Sequence, residues 1–193
     1  MIMIDLIKME IEKSISVKEK LILQKGLIEL IEELINKCIK AIKEKNKIIF
    51  CGNGGSFADA QHITAEFVSR LRIDRDPLPA IALGTNSSNL SAIANDYGYD
   101  QVFVREIIAS GKSGDVFIPI STSGNSKNII LAIEQAKKQN IEVFGWTGKA
   151  GGEMSKVCKT INIPSEITEK IQESHIMVGH ILCSIVEKKI FKS

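Results

Sequence analysis

A run of hydroxyl side chains, Ser121-Thr122-Ser123-Gly124-Asn125-Ser126, stands between a predicted strand and a predicted helix. Four hydroxyls and the free backbone N–H groups of a helix N-terminus would converge there, and such an arrangement binds anions. The run has neither the lysine of a Walker loop nor the spacing of a dinucleotide fingerprint, so ATP and NAD fit it poorly. A phosphate group is the favoured ligand. The alternative is an ordinary serine-rich turn with Ser126 as the helix N-cap.

A second loop, Gly52-Asn53-Gly54-Gly55-Ser56, also follows a predicted strand. Its glycines would let the backbone approach a ligand closely. Ligands of open α/β sheets bind beyond the carboxyl ends of the strands. The two loops could therefore hold two ends of one small molecule, although this loop alone is equally compatible with a plain strand-to-helix turn.

His62 and Glu66 lie four residues apart, and therefore on one face of the helix predicted after Ser56. They could share a divalent metal ion, or Glu66 could act as a base near a ligand. From the spacing alone, a local polar pair on a solvated face is the favoured interpretation.

The last predicted helix places Gln172, Glu173, His175 and His180 among apolar residues, where polar groups need partners. For either histidine alone, a packed structural role is favoured. Gln172 and His180 are separated by ~12 Å of helical rise. Both would reach one ion only if Gln172 lies at a frayed helix start, or if two subunits contribute.

An alternation of strands and helices must position these residues. Apolar runs predict strands at 47–51, 78–83, 115–120, 141–147 and 159–163, and the intervening segments predict helices at 56–71, 88–95, 102–110, 128–139 and 167–191. This alternation predicts an α/β fold with a parallel sheet covered on both faces. Proline cannot donate to a strand ladder, so we expect Pro119 at an edge or terminal position.

Residues 1 to about 46 are predicted to be helical, with a wide apolar stripe from Leu27 to Ile42. Such a helix covers a sheet or pairs with another subunit. Because the stripe is wide, we expect part of it to be buried between subunits.

The composition excludes several classes of protein. With 193 residues, 44% of them apolar, the chain is long and apolar enough for one folded domain with a helical appendage. A net charge of +2 argues against a dedicated nucleic-acid binder. We expect neither a membrane span nor a signal peptide, because no apolar run approaches ~18 residues and no basic segment precedes an apolar core. Four well-separated cysteines predict reduced thiols in a cytoplasmic protein.

Taken together, the motifs resemble the sugar isomerase (SIS) domain family, and within it the bacterial enzymes that isomerise heptose phosphates. STSGNS alone indicates only the domain, whereas its combination with the His62/Glu66 and Gln172/His180 pairs is much more specific. The matching segments cover almost the whole chain: GNGGS at 52–56, DAQH and the following glutamate at 59–66, NDYG at 95–98, GDVFIPISTSGNS at 114–126 and IQESHIMVGH at 171–180.

The resemblance implies a three-layer αβα sandwich of the flavodoxin-like kind with a central parallel sheet. Residues 1–46 would be an N-terminal helical extension for packing and oligomerisation, and 47–193 the SIS domain. The implied reaction is the ketose–aldose isomerisation of D-sedoheptulose 7-phosphate to D-glycero-D-manno-heptose 7-phosphate, the first step of nucleotide-activated heptose synthesis for lipopolysaccharide or capsule. The implied assembly is a homotetramer with active sites at subunit interfaces, with neither nucleic acid nor membrane as a partner.

The resemblance also implies roles for individual residues. Glu66 would be the catalytic base and His180 the acid. One Zn²⁺ per subunit would be held by His62, Glu66, Gln172 and His180. The substrate would contact Asn53, Gly54, Gly55, Ser56, Asn95, Asp96, Ser121, Thr122, Ser123, Ser126 and Gln172.

Glu66 and His180 would then each be both a zinc ligand and a proton-transfer group. A carboxylate bound to zinc is a weaker base, and a histidine nitrogen that ligates zinc cannot also carry a proton. Either zinc shifts during turnover or it acts as Lewis acid and template, and the sequence leaves both open. The domain is also compatible with isomerisation of another sugar phosphate, or with a non-catalytic module that binds a phosphosugar or a replication-initiator protein. A pure binder need not keep four zinc positions.

Overall fold

The computed structural model describes residues 2–191, so Met1, Lys192 and Ser193, at the ends of the predicted spans 1–46 and 47–193, lie outside the described residues. Five strands form one sheet in the order β2-β1-β3-β4-β5, and all neighbours are parallel. This is the flavodoxin-like strand order. The strands are β1 Ile48–Gly52, β2 Ala80–Ala82, β3 Val116–Ile120, β4 Glu142–Gly148 and β5 Lys159–Ile163.

The predicted helices are confirmed to within a few residues at their ends. The N-terminal helical span is divided in two at Gln24, and a short helix after β4 was not predicted. The helices are α1 Met3–Leu23, α2 Lys25–Lys43, α3 Gly55–Val68, α4 Ser87–Tyr97, α5 Val102–Ser110, α6 Lys127–Lys138, α7 Met154–Val157 and α8 Thr168–Phe191, with a 3₁₀ turn at Tyr99–Gln101.

Helices cover the sheet on both faces. Alternate side chains of β1 point to opposite sides: Ile48 and Phe50 pack in the core formed with α2, α3 and α8, whereas Ile49 and Cys51 pack in the core formed with α5 and α6. Both cores are apolar, so β1 is a continuous hydrophobic run rather than an alternating one. The predicted three-layer αβα architecture is therefore confirmed.

Pro119 lies neither on an edge strand nor at the end of its strand, so the expected edge or terminal position is wrong. Pro119 is buried in β3, the central strand of the sheet, where it pairs with Cys51 of β1. On the other side, β4 pairs with Val116, Phe117 and Ile120 but skips Ile118 and Pro119. Successive N–H groups of a parallel strand point to opposite neighbours, so proline interrupts the ladder only toward β4. The loss is about one backbone hydrogen bond, ~1 kcal/mol, in a position where the proline ring is otherwise well packed.

The apolar stripe of α2 covers the sheet. Leu27, Ile31, Leu34, Ile35 and Cys38 are buried in the core beside it. The centre of the stripe therefore lies within the chain, whereas Ile28 is exposed, and burial of part of the stripe between subunits stays a prediction.

A large part of the exposed apolar surface lies on α1. Val17 and Leu21 of α1 are buried, but Met3, Ile7 and Ile11 are more than half exposed, as are several other apolar residues of this helix. Across residues 2–191, none of the helices combines the length and the apolar character needed to cross a membrane.

Candidate active site

The two loops predicted to bind a ligand lie side by side at the carboxyl edge of the sheet. β1 ends at Gly52 and β3 at Ile120, and these two residues are register partners on adjacent strands. The chain then enters α3 at Gly55 and α6 at Lys127. Both loops thus occupy the edge where ligands of open α/β sheets bind.

The hydroxyl-rich loop presents an open helix N-terminus. Ser126 is the N-cap residue of α6, but its side chain accepts no hydrogen bond from the first turn. Its Oγ lies 3.1 Å from the Oγ of Ser121 instead. The backbone N–H groups at the start of α6 are therefore not satisfied by this side chain, so the simple N-cap interpretation of Ser126 does not describe the structure. An anion is favoured there by both the donors and the helix dipole.

The segment from the end of β4 to the start of α7 supports the hydroxyl-rich loop through hydrogen bonds. Gly148 N–H donates to Thr122 O at 3.0 Å, and Met154 N–H donates to Gly124 O at 2.9 Å. The side chain of Asn125 accepts from Glu153 N–H at 3.0 Å. Gly124 has a φ of +68°, and a Cβ there would collide with the backbone of the supporting loop. Glycine is therefore required at this position.

The glycine-rich loop is ordered by side-chain amides. Asn53 Nδ2 donates to Asn128 Oδ1 at 3.0 Å, and Asn128 Nδ2 donates to Asn53 Oδ1 at 3.0 Å. The hydroxyl of Tyr99 also donates to Asn53 Oδ1, at 2.9 Å. Asn128 and Tyr99 were not predicted from the sequence, because neither carries a recognisable motif spacing to Asn53.

The remaining predicted residues of this loop are Gly54, Gly55 and Ser56, and they lie in three different environments. Gly54, with a φ of +56°, has open space where a side chain would project. Next to it, the amide of Gln172 fills the space that a side chain at Gly55 would occupy. Gln172 of α8 is thus placed beside the start of α3. Ser56 is buried under the loop.

His62, Glu66 and His180 form one cluster between α3 and α8. His62 Nε2 lies 3.2 Å from Glu66 Oε1 and 3.0 Å from His180 Nε2. One ligand-type atom from each of the three residues lies within 4.8 Å of the others. His62 and Glu66 are therefore more than a local pair on one helix face, because α8 adds a third ligand-type side chain.

This donor set fits a divalent metal ion. Two imidazole nitrogens and a carboxylate, with no thiolate, suit zinc and also permit other divalent ions. His62 is about half exposed, so the cluster is open to solvent or to a second chain.

Gln172 lies apart from this cluster along α8. The helices α3 and α8 run side by side in the same direction, since Gln172 contacts Gly55 and Gly179 contacts Ile63 one residue beyond His62. Gln172 and His180 are thus about two turns apart, or ~12 Å of rise. In one chain Gln172 is oriented toward the loops, and its place among the metal ligands stays a prediction.

Asn95 and Asp96 lie on the exposed helix α4, which has no buried residue. Asn95 Nδ2 donates to Asp96 Oδ1 at 2.8 Å. Among the described residues, no hydrogen bond joins Asn95 or Asp96 to either loop. Their contact with a substrate therefore stays a prediction.

His175 is a packed residue, as favoured for a lone histidine. It is fully buried beside Trp146, and its Nε2 lies 3.2 Å from Thr147 O. Burial lowers the pKa of His175 to about 4, against the weaker effect of the Thr147 carbonyl. Glu173 is instead bonded to Ser14 of α1 and to Lys170, so it ties α1 to α8.

Asp59, one helical turn before His62, belongs to the DAQH segment but was given no role from the sequence. Its Oδ2 is buried without a hydrogen-bond partner. Burial raises the pKa of Asp59 to about 6, although the nearby His62 opposes the shift.

Comparison with known proteins agrees with this architecture. The family model of the SIS domain matches residues 16–148. A phosphoheptose isomerase of Aneurinibacillus thermoaerophilus is 51% identical over 190 residues, covering 98% of this chain and 96% of that protein. The structure of a phosphoheptose isomerase from Neisseria gonorrhoeae superposes with a TM-score of 0.89 at 36% identity, covering 97% of this chain and 100% of that one.

A second solved structure supports the same assignment. The phosphoheptose isomerase from Francisella tularensis superposes with a TM-score of 0.91 at 31% identity, covering 97% of this chain and 100% of that one. The matched segments span nearly the whole chain, so they include the N-terminal helices as well as the sheet. The resemblance drawn from the motifs is confirmed, and the chain belongs to the phosphoheptose isomerase family of SIS-domain proteins.

Proposed function

We propose that the protein is a ketose–aldose isomerase that converts D-sedoheptulose 7-phosphate to D-glycero-D-manno-heptose 7-phosphate. The observation that carries the proposal is the meeting of Glu66 with His62 and His180, since a carboxylate and an imidazole are the groups that proton transfer between neighbouring carbons needs. The anion site at the start of α6 and the names of the relatives support a sugar phosphate as the substrate.

The reaction moves one proton from C1 to C2. Glu66, as the base, removes a proton from C1 of the ketose. The electron pair forms the C1–C2 double bond, and the C2 carbonyl oxygen takes a proton from His180, which gives an enediol. His180, now without its proton, takes the O1 proton, and Glu66 returns its proton to C2, which gives the aldose and restores both residues. No oxidant is consumed, because the carbonyl group only changes place.

The anion site would hold the phosphate at the far end of the substrate. Ser121, Thr122, Ser123 and Ser126 supply hydroxyls around the N-terminus of α6, and Asn53, Gly54 and Gly55 lie on the adjacent loop. Fixing a non-reacting group in this way orients C1 and C2 before proton transfer. Asn95, Asp96 and Gln172 are proposed as further contacts of the sugar.

We also propose one zinc ion per subunit at His62, Glu66 and His180, with Gln172 as the fourth ligand. When bound, zinc would supply Lewis-acid stabilisation for the negative oxygen of the enediolate. The ligand atoms of His62, Glu66 and His180 support this proposal because they lie within 4.8 Å of one another. Gln172 lies apart from them in one chain, so the fourth ligand would come from another subunit. A carboxylate or imidazole atom engaged with the metal cannot accept or donate the substrate proton at that same atom.

A homotetramer with active sites between subunits is proposed as the assembly. Two apolar surfaces support it. One is the exposed face of α1, and the other is a groove beside His180 that is lined by Ile176, Met177, Ile181 and Ile185. The separation of Gln172 from His180 on one straight helix also favours a site to which more than one chain contributes.

The test is incubation of the purified protein with sedoheptulose 7-phosphate, with the aldose product followed by chromatography. Formation of D-glycero-D-manno-heptose 7-phosphate supports the proposal. Turnover of pentose or hexose phosphates in preference to the heptose would indicate another SIS isomerase. Binding of sugar phosphates without turnover, in protein loaded with zinc, would contradict the enzymatic proposal and leave a binding module.

A further inference from the structure

Asn128 links the two ligand loops through its side chain. It is the second residue of α6, directly after the hydroxyl-rich loop, and only 3% of its surface is exposed. Its amide forms two reciprocal hydrogen bonds of 3.0 Å with the amide of Asn53, which is 75 residues away in the sequence. Asn53 belongs to the loop after the neighbouring strand β1. The pair therefore fixes the position of one loop relative to the other.

The hydrogen bonds of Asn53 determine which of its groups remains for a ligand. A side-chain amide offers two N–H hydrogens and two lone pairs on its oxygen. Asn53 Oδ1 accepts from Asn128 Nδ2 and from the hydroxyl of Tyr99, which uses both lone pairs. Asn53 Nδ2 donates one hydrogen to Asn128 Oδ1. One N–H remains, and it can donate to an oxygen of a ligand.

Asn128 also prevents the side-chain amide of Asn53 from flipping on its own. Turning one amide by half a rotation would place oxygen against oxygen and N–H against N–H. Because Asn128 is almost completely withdrawn from water, the unmatched groups could not bond to solvent instead, and this arrangement is disfavoured. The two amides therefore hold one another in a single relative orientation.

We propose that Asn128 is a positioning residue that acts through Asn53. It holds one N–H of Asn53 toward an oxygen of the sugar phosphate, and it sets the glycine-rich loop against the phosphate-binding loop. The proposal rests on the proposed function in one respect only, namely that Asn53 contacts the sugar phosphate. It assigns Asn53 as a donor to a hydroxyl, carbonyl or phosphate oxygen.

A double-mutant cycle tests this role. Asn53→Ala and Asn128→Ala are each expected to lower kcat/KM for sedoheptulose 7-phosphate by about 10-fold or more, the scale of a lost hydrogen bond to a positioned donor. The double variant should lose little more than the worse single variant, because the interaction is already broken. Multiplied losses in the double variant, as for independent residues, would overturn the proposal.

Two further variants separate positioning from folding. Asn36→Ala makes the same change at an exposed position of α2 and should leave kcat/KM and the melting temperature unchanged. Asn128→Asp keeps the side-chain volume and the acceptor for Asn53 Nδ2, but sets an oxygen against Asn53 Oδ1. A loss of kcat/KM in this variant with retained circular dichroism supports the proposal, and wild-type kinetics would overturn it.

For each protein of the double-mutant cycle, two quantities are measured: kcat/KM, and the dissociation constant of sedoheptulose 7-phosphate by titration calorimetry. If the wild-type protein binds the sugar phosphate but does not convert it, the isomerase proposal fails, while the coupling in the dissociation constants still decides the role of Asn128. If the wild-type protein neither binds nor converts it, both proposals fail.

Discussion

Arg75 Nη2 donates a hydrogen bond of 2.8 Å to the backbone carbonyl oxygen of Glu66. The same guanidinium bonds to Phe67 O at 2.8 Å and forms a buried ion pair with Glu187 of α8, Nε to Oε2, at 3.0 Å. Arginine therefore satisfies the carbonyl groups that the C-terminal end of α3 leaves without helical partners. The end of the helix that carries Glu66 is held by a charge pair rather than by apolar packing alone.

Glu187→Gln should destabilise the fold and loosen this end of α3. Removing one partner of a buried ion pair leaves the other charge uncompensated, at a cost of about 3–5 kcal/mol. The pKa of Glu187 is lowered because Leu71 N–H, Arg75 and Arg72 N–H bond to its carboxylate, more than offsetting the effect of burial. Its stabilising contribution is therefore present above the unfolded pKa of about 4.5 and is lost as the pH falls below it.

Urea unfolding at neutral pH measures the effect of Glu187→Gln. The exposed pair of Lys25 and Glu29 provides a matched control, because Glu29→Gln removes the same charge from a surface pair worth at most about 1 kcal/mol. Equal free energies of unfolding for the two variants would show that the Arg75–Glu187 ion pair does not stabilise this end of α3.

Glu66→Gln should abolish most of the catalytic rate while the fold remains. The variant keeps the side-chain shape but removes the proposed base and one charge from the cluster, so kcat should fall by about 100-fold or more. His180→Gln should have a similar effect. Steady-state kinetics and circular dichroism check both variants, and Glu134→Gln, on the exposed face of α6, serves as the control. Full activity of Glu66→Gln would exclude it as the base and turn attention to Asp96.

Removal of divalent metal should lower the activity, and added zinc should restore it. His62, Glu66 and His180 supply three ligands without a thiolate, a set that holds zinc at moderate affinity. Dialysis against a chelator, elemental analysis and activity measurements on the same samples test this. Full activity in protein shown to be free of metal would exclude the zinc role and leave Glu66 as the base.

Ser121→Ala combined with Ser123→Ala should raise KM strongly, with little effect on the melting temperature. The two hydroxyls belong to the loop that would hold the phosphate, at the end of the substrate away from the reacting carbons. Ser110→Ala removes an exposed hydroxyl from α5 and should leave KM unchanged. Unaltered kinetics of the double variant would remove the phosphate assignment of the 121–126 loop.

The periodicity of the sequence was sufficient to predict most strands and helices and a parallel sheet covered on both faces, whereas the flavodoxin-like sandwich was implied by the resemblance. Buried parallel strands are continuous apolar runs, and β5 and α5 begin and end at the predicted residues. The position of Pro119 was predicted wrongly because a proline costs a hydrogen bond only on the side to which a backbone N–H would have pointed. That side is set by the register with β4. Local propensity carries no information about that register.

The candidate site was predictable only where its residues share a helix or a motif. His62 and Glu66 show their relation through a spacing of four. By contrast, Asn53, Asn128 and Tyr99 meet only because two strands are adjacent and the 3₁₀ turn folds over the glycine-rich loop. Sequence periodicity does not predict contacts between residues so far apart in the chain, so these contacts were identified only from the structure.

His175 should make the stability of the protein depend on pH between about 6.5 and 4. Its pKa is lowered to about 4 by burial beside Trp146. The unfolded chain therefore takes up a proton below pH 6.5, whereas the folded protein does so only near pH 4. Stability falls as the pH falls through this window, by up to about 3 kcal/mol from this group alone.

His175→Gln should remove this part of the pH dependence and leave kcat nearly unchanged, because the ring contacts Trp146 and the Thr147 carbonyl rather than the proposed catalytic residues. Trp146 is the only tryptophan of the chain, so its fluorescence follows unfolding next to the substituted ring. Asp59, whose pKa is raised to about 6, contributes in the same window with the opposite sign, since its burial favours the protonated form. The difference between wild type and His175→Gln, measured by urea unfolding at pH 7 and pH 5, isolates the histidine. A constant difference at both values would show that His175 is not kept neutral in the folded state.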